Sequence, residues 1–217
     1  VSAATAPRIP AADPGIVDGA NAIATRRFYD TAESNWMVKV FPGEYYVTPK
    51  KDEVLVTVLG SCVAACIRDP VRRVGGMNHF MLPHSKGGNW GGDLQSTRFG
   101  NFAMEKLINE LMKAGASRNS LEIKVFGGGN VTDTQNAIGT ENSQFILRYL
   151  ESEGLRCTVQ DLGGLLPRRI HYYPETGRVI RRLLGTSESK AVAREETAYV
   201  SRLSTRTMAG EISLFDE

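Results

Sequence analysis

No run of about 18 consecutive apolar residues occurs in the chain, so no membrane-crossing helix is expected. The start carries no continuous apolar stretch of the kind found in a secretory leader. Cysteine is scarce. Cys62, Cys66 and Cys157 are the whole set, an odd number without a CxxC pair. That argues against a disulfide framework and a zinc knuckle, and it suits a reducing cytosol. Charge of one sign is missing as well. Lys and Arg total 26 against 24 Asp and Glu, a net charge of +2, so nothing pulls the chain as a whole toward nucleic acid or anionic lipid. The paired arginines Arg168-Arg169 and Arg181-Arg182 lack the interleaved aromatics of a nucleic-acid face and read as solvated strand ends. Gly127-Gly128-Gly129 fits neither GxGxxG nor GxxxxGK[ST]. It reads instead as a place where one backbone comes close to another, at the turn before Cys62. No internal repeat is present.

What is present suffices for one domain of ordinary size, with 41% hydrophobic residues. Residues 1–35 are rich in Ala, Pro, Thr, Asp and Gly without periodicity and read as a largely disordered extension. Ordered structure is expected from Trp36, with a folded domain over 36–186. Residues 187–217 turn polar and read as a tail, partly docked through Ile212-Ser213-Leu214-Phe215. Within the domain, short β-branched runs predict strands at 37–41, 45–47, 54–59, 63–67, 77–82, 121–126 and 156–161. A hairpin is predicted from 168–173 and 178–184 around Pro174-Glu175-Thr176-Gly177. Apolar residues at helical spacing predict helices over 96–114 and 142–153, closed by Gly115 and Gly154. Strands and helices mix unevenly, which predicts an α+β fold.

The chain is organised around residues 54–83. Val54–Leu59 is a short apolar run, Gly60-Ser61 forces a turn, and Cys62 follows at once. Val63–Ile67 resumes the strand pattern. Gly75-Gly76 opens a third run that holds His79. A thiol just after a tight turn and a histidine on a neighbouring strand can meet, the simplest route to a low-pKa cysteine nucleophile. Cys66 and Cys157 read as core. His84 lies just past Pro83, and His171 sits in a polar-flanked strand and reads as structural. Asn78 should point to the opposite strand face from His79. The glycine-rich segment from His84 to Gln95 follows the histidine strand, where a substrate lid and a simple connection fit equally. A redox pair of Cys62 and Cys66 would need residues four apart on one strand, roughly 13 Å, to close within disulfide reach.

Leu59-Gly60-Ser61-Cys62-Val63 and Gly75-Gly76-Met77-Asn78-His79-Phe80-Met81-Leu82-Pro83 resemble the two signature blocks of the CheD family of chemoreceptor glutamine deamidases. Gly43-Glu44-Tyr45-Tyr46-Val47 and Arg98-Phe99-Gly100-Asn101-Phe102 are similar to further parts of that family, and the resemblance spans about residues 37–185. It implies a mixed β-sandwich flanked by helices, related to the cysteine hydrolase domain of cytotoxic necrotizing factor toxins. It also implies a Cys62 nucleophile, a His79 base and a threonine in the preceding strand, where Thr57 is the sole threonine. The backbone N–H groups of Gly60, Ser61 and Cys62 would hold the oxyanion. No metal or organic cofactor is implied. The implied partners are the helical bundle of a chemoreceptor's cytoplasmic part, as substrate, and a CheC-type phosphatase. A regulatory module that stimulates such a phosphatase, with catalysis secondary, is the alternative. Neither nucleic acid nor direct membrane insertion enters either reading.

Overall fold

The computed structural model describes residues 22–82, 94–131 and 138–207. The elements in chain order are β1 (Ala22–Ile23), β2 (Arg27–Asp30), β3 (Asn35–Lys39), β4 (Glu44–Thr48), β5 (Glu53–Leu59), β6 (Val63–Asp69) and β7 (Val74–His79). There follow α1 (Leu94–Lys113), β8 (Glu122–Gly127), α2 (Ile138–Ser152), β9 (Cys157–Leu162), β10 (Arg168–Tyr173), β11 (Arg178–Leu183) and α3 (Thr186–Thr207). They build two mixed sheets. One runs β1-β4-β7-β6-β8-β9 and the other β11-β10-β5-β3-β2.

Each sheet owes its place to a burial pattern. β10 alternates, with Arg168, Ile170 and Tyr172 turned inward. β5 is central and buried along nearly its whole length, so it reads as a continuous apolar run. Leu55, Leu59, Cys66, Met77, Ile170 and Tyr172 share the core between the sheets. The outer face of the six-stranded sheet is covered by α1 and α2, which join Ile67, Phe80, Met104, Leu107, Phe145 and Ile146 in a second core. The result is a two-sheet sandwich with helices on its flank, and the expected helix pair and C-terminal hairpin are both present. Among the described residues no helix is long and apolar enough to cross a membrane.

Four expectations need correction. The ordered region does not begin at Trp36, because β1 and β2 lie within the stretch read as disordered. β2 was hard to see because three of its four residues are exposed. Aromatic and cationic contacts to β3 help hold it: Tyr29 meets Trp36 edge-on at 5.4 Å, and Arg27 lies over the Trp36 ring at 4.5 Å. Secondly, Gly75-Gly76 does not precede the histidine strand but lies within it. A Cβ on Gly76 would stand 2.6 Å from the Tyr46 carbonyl and 3.0 Å from Leu107 Cδ1, so the glycine lets β4 and α1 pack flush on β7. Thirdly, Arg168 is not a solvated strand end. It is buried, because it occupies an inward position of β10, and its two terminal nitrogens donate to Asp161 and the Gly163 carbonyl. Fourthly, the polar tail holds a 22-residue helix, α3. Residues 84–93 of the candidate lid, His84 among them, and Ile212–Phe215 lie outside the described residues, while Leu94 and Gln95 open α1.

Candidate active site

The Gly60-Ser61-Cys62 turn joins β5 to β6 at the edge of the inter-sheet core. Its backbone is held from both sides. The three carbonyls are all engaged: Gly129 N–H donates to Gly60 O at 2.7 Å, Gly128 N–H to Cys62 O at 2.7 Å, and Asn142 Nδ2 to Ser61 O at 2.8 Å. Only glycine permits this at position 127. Its φ is +111°, and a Cβ there would sit 2.1 Å from the Cys62 carbonyl. The close backbone approach expected of the glycine triplet is therefore present. Asn142 is buried at α2 and also accepts from Leu82 N–H at 2.9 Å, so it ties the turn to the segment after His79.

With the carbonyls held behind, the N–H groups of Gly60, Ser61 and Cys62 point together to the front. They converge on one carboxylate, that of Glu196 in α3. Gly60 N–H and Cys62 N–H donate to Oε1 at 3.0 and 3.1 Å, and Ser61 N–H donates to Oε2 at 2.9 Å. The Ser61 hydroxyl adds a fourth bond to Oε2 at 2.8 Å. Consecutive amides aimed at one anion form a nest. This is the arrangement expected for an oxyanion hole, and here it holds a side-chain carboxylate.

His79 stands on β7 beside β6. Val63 pairs with Phe80 and Cys66 with Met77, so Ala64 is level with His79 and Cys62 with Met81. Cys62 and His79 thus share one sheet face as diagonal neighbours. Asn78 points the other way, as expected, accepting from Ala65 N–H and donating to the Ala103 carbonyl of α1. Thr57, on β5 of the facing sheet, lies 2.8 Å from His79 Nδ1. The Thr57 hydroxyl donates to the Val40 carbonyl at 2.7 Å. Its proton is thereby used, so its oxygen accepts from Nδ1–H, and Val40 O lies 3.4 Å from the same nitrogen. Two acceptors at Nδ1 assign the proton there and leave a bare lone pair on Nε2. Nε2 is buried and has no hydrogen-bond partner among the described residues.

The electrostatics are those of a closed site. Burial pushes the Cys62 thiol pKa well up, and the negative charge of Glu196 and a hydrogen bond to its carboxylate push it further. Burial holds His79 down to about 4, against the opposing pull of Glu196 and of the Val40 carbonyl. In this arrangement Cys62 is a thiol and His79 a neutral imidazole, not the low-pKa pair expected from their positions. The main cause in both is burial; the negative charge of Glu196 on α3 adds to it at Cys62 and works against it, without overcoming it, at His79.

Sequence reasoning missed Asn142 and Glu196. The signal for Glu196 was spacing: Val192, Glu196 and Tyr199 recur on one helical face, and all three are buried. A carboxylate at the centre of that stripe disguised it as solvated surface. Beside the site, a cavity of about 400 Å³ is lined by Thr57, His79, His171 and Val192 together with Glu195 and Glu196. His171 thus lines the same cavity. All three cysteines are free. Among the described residues no cluster of His, Cys, Asp and Glu could hold a metal ion.

Comparison with known proteins places this geometry in context. The family described as CheD, chemotactic sensory transduction, matches residues 81–183. A "Probable chemoreceptor glutamine deamidase CheD" of Rhodopseudomonas palustris is 51% identical over 192 residues, spanning 88% of this chain and 90% of its own length. A protein of the same name from Thiobacillus denitrificans is 47% identical over 196 residues, spanning 89% of this chain and 96% of its own. Among solved structures, a Bacillus licheniformis hypothetical protein, YfiH, superposes with a TM-score of 0.34 at 13% identity over 54% of this chain and 49% of its own.

Proposed function

Because this chain belongs to the CheD family, we propose that it is a protein-glutamine deamidase that converts glutamine side chains of chemoreceptors to glutamate with release of ammonia. The observation that carries the reading is the carboxylate held by the three amides of Gly60–Cys62. A carboxylate is the acid form of the amide such an enzyme would hydrolyse.

His79 Nε2 takes the Cys62 proton, and Sγ attacks the carboxamide carbon. The negative oxygen that forms is held by the N–H groups of Gly60, Ser61 and Cys62. The C–N bond breaks as His79 returns its proton to the departing ammonia, leaving a thioester. Water gives a proton to His79 Nε2 and adds to the thioester. Collapse expels the Cys62 sulfur, which regains that proton, and leaves glutamate. Thr57 keeps the imidazole in the tautomer that presents Nε2. No step needs a metal or an organic cofactor. The same reading extends to the fold, taken as that of cytotoxic necrotizing factor-type cysteine hydrolases. It is supported by a nucleophile at the entrance to one strand and a histidine on the next. The receptor's helical bundle puts the reaction in the cytoplasm.

The test is intact-mass analysis of a purified receptor cytoplasmic fragment incubated with this protein and with Cys62→Ala. A mass gain of one amide-to-acid change per site, mapped to glutamine and lost with Cys62→Ala, is the expected outcome. No change on a cognate receptor overturns the reading. The regulatory alternative, a module that stimulates a CheC-type phosphatase, draws support from the occlusion of Cys62. It would then take first place, tested by binding to such a phosphatase.

A further inference from the structure

We infer that α3 is a built-in product mimic: it occupies the groove that receives a substrate helix and lays Glu196 in the oxyanion hole as a glutamate product would lie. The inference rests on the deamidase reading for the substrate helix and its product, and on the structure for how α3 is seated. Three observations carry it.

The first is chemical fit. Glu196 is itself the side chain that deamidation of a glutamine produces, and both of its oxygens are held by the turn that bears Cys62. The second is presentation. Glu196 is offered from the middle of an α-helix, with Val192 one turn before it and Tyr199 about one turn after it turned to the same surface. Tyr199 packs against Gly43, where a Cβ would meet its hydroxyl at 2.8 Å. The groove thus accepts a helix carrying an apolar residue four before and an aromatic residue three after the reacting side chain. The third is detachability. Val192, Glu196 and Tyr199 are the only described side chains of α3 that are buried, and Glu188 adds only exposed ion pairs to Arg169 and Arg182. With one carboxylate and two apolar side chains as the buried anchors among the described residues, the helix can leave while the sandwich stays folded. While docked it covers Cys62 and His79 and keeps the thiol protonated. Release and substrate binding are then one exchange of helices in one groove.

The experiment uses the full chain and needs no substrate for its first arm. Cys62 and Cys66 are both buried in the inter-sheet core, so Cys66 serves as the control for unfolding. Alkylation is followed at each cysteine by peptide mapping in the wild type and in Glu196→Ala. Losing four charge-assisted bonds should raise labelling at Cys62 by on the order of tenfold or more while Cys66 stays protected. Labelling that is unchanged, or that rises equally at both cysteines, overturns the plug. In the second arm, Glu196→Ala should deamidate a receptor fragment faster than the wild type, and an added peptide of residues 186–207 with Glu196 should slow it. A peptide that does not compete overturns the shared groove. In the third, Glu196→Gln should revert to glutamate at position 196 in a Cys62-dependent manner, read by mass. A stable glutamine there, in a preparation that converts the receptor fragment, overturns product mimicry and leaves the deamidase reading standing. If Cys62 labels as expected but no glutamine is converted in any arm, the deamidase reading falls and takes product mimicry with it.

Discussion

α1 and α3 are close in length, 20 and 22 residues, yet they belong to the fold in different ways. α1 buries Ala103, Met104, Leu107, Ile108 and Leu111 against the outer sheet face, an unbroken apolar stripe. α3 buries Val192, Glu196 and Tyr199, with a carboxylate where α1 has leucine. The first helix is held by apolar area, which is non-directional and has no substitute once lost. The second is held at its centre by polar bonds to the Gly60–Cys62 turn, which water or another carboxylate can replace. Length and helicity alone therefore say little about attachment. The chemistry of the buried stripe decides it.

The sharpest way to break this comparison is Leu107→Ala. It should cost about 2–5 kcal/mol of global stability through lost burial and a cavity, seen as a fall in the denaturant midpoint. If the cost is no greater than that of a matching truncation in α3, the two helices do not differ as claimed. The next effect is acid sensitivity at the site α3 covers. His79 is held down to about 4 in the fold against an ordinary value of 6.5. Between those values the unfolded chain binds the extra proton, so stability should fall as pH drops from 6.5 to 4 and lose no more from this group below that. The shift corresponds to about 3 kcal/mol, and the difference between wild-type and His79→Gln stability curves isolates it. Glu141, raised by burial to about 7, works in the opposite direction and cancels in that difference. Asn142→Ala should cost about 1–3 kcal/mol by leaving Leu82 N–H and Ser61 O without their partner. It loosens the turn from behind, so deamidase turnover should drop with it. The smallest global effect belongs to Val192→Ala, under about 1.5 kcal/mol, with Cys62 labelling raised several-fold. A large loss of stability there would make α3 part of the core after all.

Periodicity made most of the sandwich legible. The runs at 54–59, 63–67 and 121–126, the hairpin around Pro174–Gly177 and the stripe of Ala103, Leu107 and Leu111 each carry one clear repeat, and each lies within two residues of its observed element. β2 escaped because an exposed edge strand has no alternation to show. α3 escaped because Glu196 interrupts its stripe, and a lone sequence cannot tell a buried carboxylate from a solvated one. At the site, Cys62 follows the turn and His79 ends β7, as their local patterns suggested, and Thr57 lies on the strand preceding the turn. Asn142 and Glu196 were not legible, because each is defined by a partner far away in the chain. Glu196 meets Cys62 across 134 residues, and no local pattern records such a contact.

The pinned carbonyls of the Gly60–Cys62 turn have a consequence for hydrogen exchange. Gly129, Asn142 and Gly128 hold that backbone whether or not α3 is present, so lifting the helix bares three amides without unfolding a strand. Their deuterium uptake should then follow the helix alone, while that of β6 and β8 follows the whole domain. Those three protons form a gauge already built into the chain, reading how much of the time its own C-terminal helix is away.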